Sequence, residues 1–204
     1  MDQRVAIFID GSNLYHALRE NLGRTDLNFS EFVHKLVGDR QLYRTYYYNV
    51  LQDPGRNPEG AREQHEFLSI LRGSPYLEVR LGTTKMSQTG MVEKGVDVML
   101  ATDLLQFGWD GLYDVAILVS GDGDFAYALQ AVKNKGKHVE VAYFESNVSR
   151  DLLELADQRH PMDKPYFQDL WWGRSRNLRR RRRPRSGAQG PQPEAERQVE
   201  PANT

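Results

Sequence analysis

The sequence predicts an α/β protein built on a central, mostly parallel sheet of five or six strands flanked by helices. Three observations carry this. The runs Val5-Ala6-Ile7-Phe8-Ile9 and Val115-Ala116-Ile117-Leu118-Val119 are apolar at every position, as strands covered on both faces must be. Apolar β-rich runs alternate with helical patterns along residues 4–157, the signature of βαβ units. Each of the two runs is followed closely by Asp and Gly, in Asp10-Gly11 and in Ser120-Gly121-Asp122-Gly123-Asp124. Acids at the carboxyl ends of parallel strands lie where an open α/β sheet places its chemistry.

In chain order, strands are predicted at 4–9, 42–50, 76–82, 114–119 and 138–144. Helices are predicted at 13–21, 30–37, 60–72, 95–107, 124–135 and 149–157. Tyr46, Tyr47 and Tyr48 alternate along a strand, so two are expected to pack inward and one outward. The polar segment 83–94 (TTKMSQTGMVEK) is expected to be a loop or a small hairpin. Trp171 and Trp172 are expected to dock the C-terminal end of the domain on its body.

Of the 204 residues, 39% are hydrophobic, enough to bury a core in one domain, expected over 1–173. Beyond it the pattern stops. Residues 174–204 hold nine Arg and three Glu, with Arg179, Arg180, Arg181, Arg182 and Arg183 in unbroken succession. Their few apolar side chains cannot offset the entropy of ordering, so a disordered basic tail is expected. The net charge of −1 therefore divides into about +6 in the tail and about −7 in the body. Without Cys there is no disulfide framework and no thiolate metal site. The apolar run behind Met1 is too short for a signal-peptide core or a membrane span, so a cytoplasmic location is expected.

Four carboxylates stand out: Asp10, Asp97, Asp122 and Asp124. Helical spacing sets Asp97 on one stripe with Ala101 and Leu104, facing the sheet. Asp103 lies roughly 120° round the helix from Asp97 and is less able to point at the same place. Taken singly, an Asp between a strand and a helix is an ordinary N-cap. Taken together, mutually repelling acids in one crevice are suited to holding a divalent cation. Oxygen ligands alone favour Mg²⁺ or Mn²⁺ over Zn²⁺. Cations so held promote hydrolysis of phosphodiesters by activating water and relieving charge at the phosphoryl group. The five histidines are scattered without ligand spacing. Gly121-Asp122-Gly123 is not a dinucleotide fingerprint, because Ala126 stands where the third Gly belongs and Asp122 would repel a pyrophosphate.

Asp10-Gly11-Ser12-Asn13, Lys94-Gly95-Val96-Asp97 with Asp103, and Ser120-Gly121-Asp122-Gly123-Asp124-Phe125 resemble the NYN domain in its LabA-like branch, part of the PIN-like ribonuclease group. The resemblance spans about residues 3–158. It implies a single PIN-like, Rossmann-like domain with an acidic pocket for Mg²⁺ or Mn²⁺, and metal-dependent cleavage of RNA. It further implies Asp10, Asp97, Asp122 and Asp124 as metal-binding, catalytic acids, with Asn13, Ser120 and Asp103 supporting them. The expected partner is RNA, in single-stranded form. Lys85, Lys94 and the run Arg179 to Arg183 supply candidate phosphate contacts. The alternative is a non-catalytic RNA-binding or regulatory protein-interaction module that retains the fold. A homodimer, and protein partners recruited by the basic tail, both remain open.

Overall fold

The computed structural model describes residues 3–87 and 90–172. Its strands are β1 (Arg4–Asp10), β2 (Gln41–Val50), β3 (Leu77–Ser87), β4 (Gly90–Lys94), β5 (Val115–Val119), β6 (His138–Tyr143) and β7 (Gln158–Pro161). They form one sheet in the order β4-β3-β2-β1-β5-β6-β7. β3 and β4 pair antiparallel, and every other pair is parallel. From β1 the chain steps outward through β2 to β3, then returns to β5 on the opposite side of β1 and steps outward again. Ile7 is flanked by Thr45 of β2 and Ile117 of β5, so the order reverses at the centre of the sheet. Such a reversal opens a crevice beyond the carboxyl ends of the two strands.

The helices are α1 (Gly11–Leu22), α2 (Phe29–Val37), α3 (Pro58–Arg72), α4 (Val96–Trp109), α5 (Ala126–Lys133) and α6 (Arg150–Leu155). They cover both faces, which is why β1 and β5 carry apolar residues without alternation. Val5, Ile7 and Ile9 face Leu14, Leu18, Phe32 and Leu36 from α1 and α2. Ala6 and Phe8 face Leu100, Leu104 and Leu129 from α4 and α5. Each such buried side chain contributes about 1.5–3 kcal/mol for the larger residues. Local signals set the helix starts: the Asn28 and Ser149 side chains cap α2 and α6, and Asn57 followed by Pro58 opens α3.

The segment 83–94 belongs to a β-hairpin of β3 and β4, one of the two forms expected for it. Other elements differ from the sequence expectation. β7 is an additional edge strand, since Gln158-Arg159-His160-Pro161 has no apolar pattern. All three tyrosines are buried, rather than two: Tyr47 lies under α1 and α2, while Tyr46 and Tyr48 lie on the α4 side. Burial on both faces leaves no outward side for the third. Trp171 does dock the C-terminal segment, bridging to Leu27 with the Arg24 guanidinium 4.4 Å above its ring. Trp172 is half exposed. Residues 174–204, with Arg179 to Arg183, lie outside the described residues. Among the described residues no helix is long and apolar enough to cross a membrane.

Candidate active site

β1 ends in Asp10, a carboxylate only 6% exposed. The chain turns into α1 at once, and Asp10 caps that helix: its Oδ1 accepts from the Asn13 backbone N–H at 3.0 Å. Its Oδ2 accepts from the Ser120 hydroxyl at 3.1 Å. Ser120 follows β5, whose Val119 lies beside Ile9. The Ser120 hydrogen bond thus joins the ends of β1 and β5 across the reversal of the sheet. Ser120 Oγ also accepts from the Asp122 N–H at 3.1 Å, which tightens the turn that follows β5.

Asn13 holds the same loop from the other side. Its Oδ1 accepts from the Gly121 N–H at 3.1 Å and from Asn147 Nδ2 at 3.3 Å. A Cβ at Gly121 would stand 2.4 Å from the Asn147 carbonyl oxygen, so the approach of the two loops requires glycine there. Asp122 Oδ1 accepts from the Asp124 N–H at 3.0 Å and caps the short 3₁₀ turn Gly123–Phe125. Asp10 and Asp122 are therefore caps in fact, and their capping fixes where the carboxylates stand.

Electrostatics couples the acids. The Asp10 carboxyl is pushed up to about 6, first by burial, against the opposing hydrogen bonds from Asn13 and Ser120. The negative charges of Asp97 and Asp122 push it further. Asp97, in the first turn of α4, is also raised, by partial burial and then by the charges of Asp122 and Asp124. Acids from the end of β1, the start of α4 and the loop after β5 thus share one field. Among the described residues, no three His, Asp or Glu side chains stand close enough to enclose a metal as they are placed. The donors that meet here are carboxylate, hydroxyl and amide oxygens, a set that fits a hard divalent cation.

The predicted stripe of α4 needs correction. Its buried face is Val96, Leu100, Asp103 and Leu104, and Asp97 is exposed beside it. Asp103 is the acid that turns to the sheet. There its Oδ2 accepts from the Tyr48 hydroxyl at 2.8 Å and meets Arg80 Nη1 at 2.8 Å. These partners neutralise it, which lets a carboxylate occupy an apolar face. Asp103 is thus bound to β2 and β3 rather than to the four other acids. Lys85 and Lys94 lie on the β3–β4 hairpin, and their side chains lie outside the described part. Asn147 and Arg80 escaped sequence reasoning, because each acts through a contact with a distant segment.

The sequence matches the NYN domain family model over residues 4–163. It is similar to the low amplitude and bright protein LabA of Synechococcus elongatus, 27% identical over 159 residues, covering 76% of this chain and 81% of that protein. Among solved structures it is similar to a protein of unknown function from Vibrio parahaemolyticus RIMD 2210633. That match has a TM-score of 0.67 and 26% identity, covering 79% of this chain and 94% of the other. The chain belongs to the NYN domain family.

Proposed function

We propose that this NYN-family chain is a metal-dependent ribonuclease that hydrolyses RNA phosphodiester bonds at Asp10, Asp97, Asp122 and Asp124. One observation carries this most: Asp10 is buried at the reversal of the sheet, bonded to neutral donors and under the charge of two further acids. A buried charge without a countercharge costs several kcal/mol unless its surroundings compensate, about the penalty that an incoming cation would relieve. Asp10, Asp97, Asp122 and Asp124 would hold Mg²⁺ or Mn²⁺. When bound, such a cation supplies charge relief at the phosphoryl group and lowers the pKa of its water.

The chain's own residues prepare the site. The N–H of Asn13 and the hydroxyl of Ser120 favour the ionised form of Asp10 and fix both its oxygens. The Asn13 side chain holds the loop that presents Asp122. A proton on Asp10, whose pKa lies at about 6, competes with the role proposed for its carboxylate. Lys85 and Lys94 on the hairpin, with Arg179 to Arg183 in the tail, would neutralise RNA phosphates without sequence preference. Residues 1–173 would form the working domain and the tail would raise affinity.

The spacing of the acids supports a second function, an RNA-binding or regulatory module that retains the fold without catalysis. An RNA cleavage assay with Mn²⁺ or Mg²⁺ separates the two. The unaltered chain should cleave single-stranded RNA, and Asp10→Asn and Asp122→Asn should not. Equal cleavage by all three proteins would place the reaction elsewhere or in a contaminant. RNA binding by all three without cleavage would establish the module.

A further inference from the structure

Beside the acids, a cavity of about 630 Å³ opens between α1 and α3 over the end of β2. Its volume is that of a small-molecule pocket. Gly11 and Ser12, which line it, follow Asp10 directly in the chain. Neighbouring strands lie about 4.8 Å apart, so an extended chain crossing from β5 over β1 next reaches the end of β2.

The lining has a definite chemistry. Tyr15 and His16 of α1 form an edge-to-face pair with ring centroids 5.6 Å apart, and Tyr15 is 38% exposed. Two amides are held in fixed orientations. Asn49 accepts from the Ser12 hydroxyl at 3.1 Å and donates to the Tyr47 hydroxyl at 2.9 Å. Gln64 donates to the Val50 carbonyl at 2.7 Å and accepts from the Gln52 N–H at 2.8 Å. Glu59 and Glu63 outnumber Arg19 among the charged residues of the lining, so a phosphate is disfavoured inside. An aromatic wall, oriented neutral amides and an acidic bias suit a flat, uncharged, hydrogen-bonding group.

We infer that this cavity is a nucleobase subsite, which receives the base next to the scissile phosphate while the phosphate itself stays at the acids. Its position relative to the scissile bond rests on the ribonuclease function proposed above. Tyr15 supplies the stacking face. Asn49 and Gln64 present polar edges whose directions are set before the base arrives, which lowers the cost of binding.

The test uses the full chain without metal and AMP as the probe, followed by NMR. AMP should shift the backbone amides of Ser12, Tyr15, His16 and Gln64. Tyr15→Ala should weaken AMP about tenfold, and Tyr15→Phe should keep affinity because the ring remains. A single-stranded RNA lacking the base beside the cleaved bond should lose the same factor against the unaltered protein and nothing further against Tyr15→Ala. AMP shifts confined to other parts of the fold, or an unchanged affinity in Tyr15→Ala, would overturn the subsite. RNA cleavage with the same KM in Tyr15→Ala would overturn it while leaving the ribonuclease standing. AMP bound at these amides without any RNA cleavage would support the base site and count against the nuclease alone.

Discussion

Asp10 and Asp103 are each 6% exposed, yet their surroundings treat the charge in opposite ways. Asp103 meets the Arg80 guanidinium and the Tyr48 hydroxyl inside the fold. Glu140, 4% exposed, is handled likewise by Arg40 and His160. Asp10 is bonded to an amide N–H and a hydroxyl, and the charges that reach it are those of Asp97 and Asp122. No ion pair to Asp10 is found among the described residues. A buried acid neutralised from within ties elements together. A buried acid that meets no countercharge among the described residues, at a sheet reversal, is the kind of group that the cation of the proposed function would satisfy.

The contrast predicts opposite signs for mutation. Asp103→Ala leaves Arg80 and Tyr48 facing a gap, and should destabilise the fold by about 3–5 kcal/mol, toward the lower figure because Arg80 keeps some solvent. Urea denaturation measures this, and an unchanged midpoint would deny Asp103 its structural role. Asp10→Asn should instead stabilise the metal-free protein at pH 7, by about 1–3 kcal/mol. The sign follows from the raised folded-state value of about 6 against about 4 in the unfolded chain. Between those values the folded state binds more protons. The contribution is therefore present below pH of about 4 and lost as pH rises to about 6. Denaturation midpoints at pH 5 and pH 7 should differ less in Asp10→Asn than in the unaltered chain. A wider difference would show that Asp10 is not the group titrating.

A smaller effect attends Ser120→Ala. It removes one bond to Asp10 and the acceptor of the Asp122 N–H, costing about 1–2 kcal/mol. Because the lost bond favoured the ionised form, the acid limb of RNA cleavage should move to higher pH. An unmoved limb would separate the Asp10 proton from activity. The smallest effect on the fold is expected from ending the chain at residue 173. Thermal stability should hold, while the dependence of log K on log salt for single-stranded RNA becomes shallower by about 0.7 for each lost phosphate contact. An unchanged slope would give the tail another partner.

The parallel sheet was legible because apolar runs such as Val115–Val119 admit no exposed face. The edge strand β7 was not, since its four residues carry no alternation and are placed by pairing with β6. The positions of Asp10 and Asp122 at strand ends were legible, as runs ending in Asp-Gly and Gly-Asp signal both a cap and a turn. The helix face of α4 was not. Hydrophobic spacing sets Asp97 inward, and only the tertiary partners Arg80 and Tyr48 make Asp103 the buried acid. The tyrosine triplet departs from alternation for a like reason: α1 and α2 cover the Tyr47 face that alternation leaves to solvent.

The most direct test is thermal denaturation with and without Mn²⁺ on three proteins: unaltered, Asp10→Asn and Asp103→Asn. A cation that binds only the folded state stabilises it by about 2.7 kcal/mol at a hundredfold excess over Kd. The unaltered chain and Asp103→Asn should both gain from the metal, the second from a lower starting point, and Asp10→Asn should gain little. A full gain in Asp10→Asn, a lost gain in Asp103→Asn, or no response in any of the three would contradict the assignment of Asp10 and its neighbouring acids to a cation.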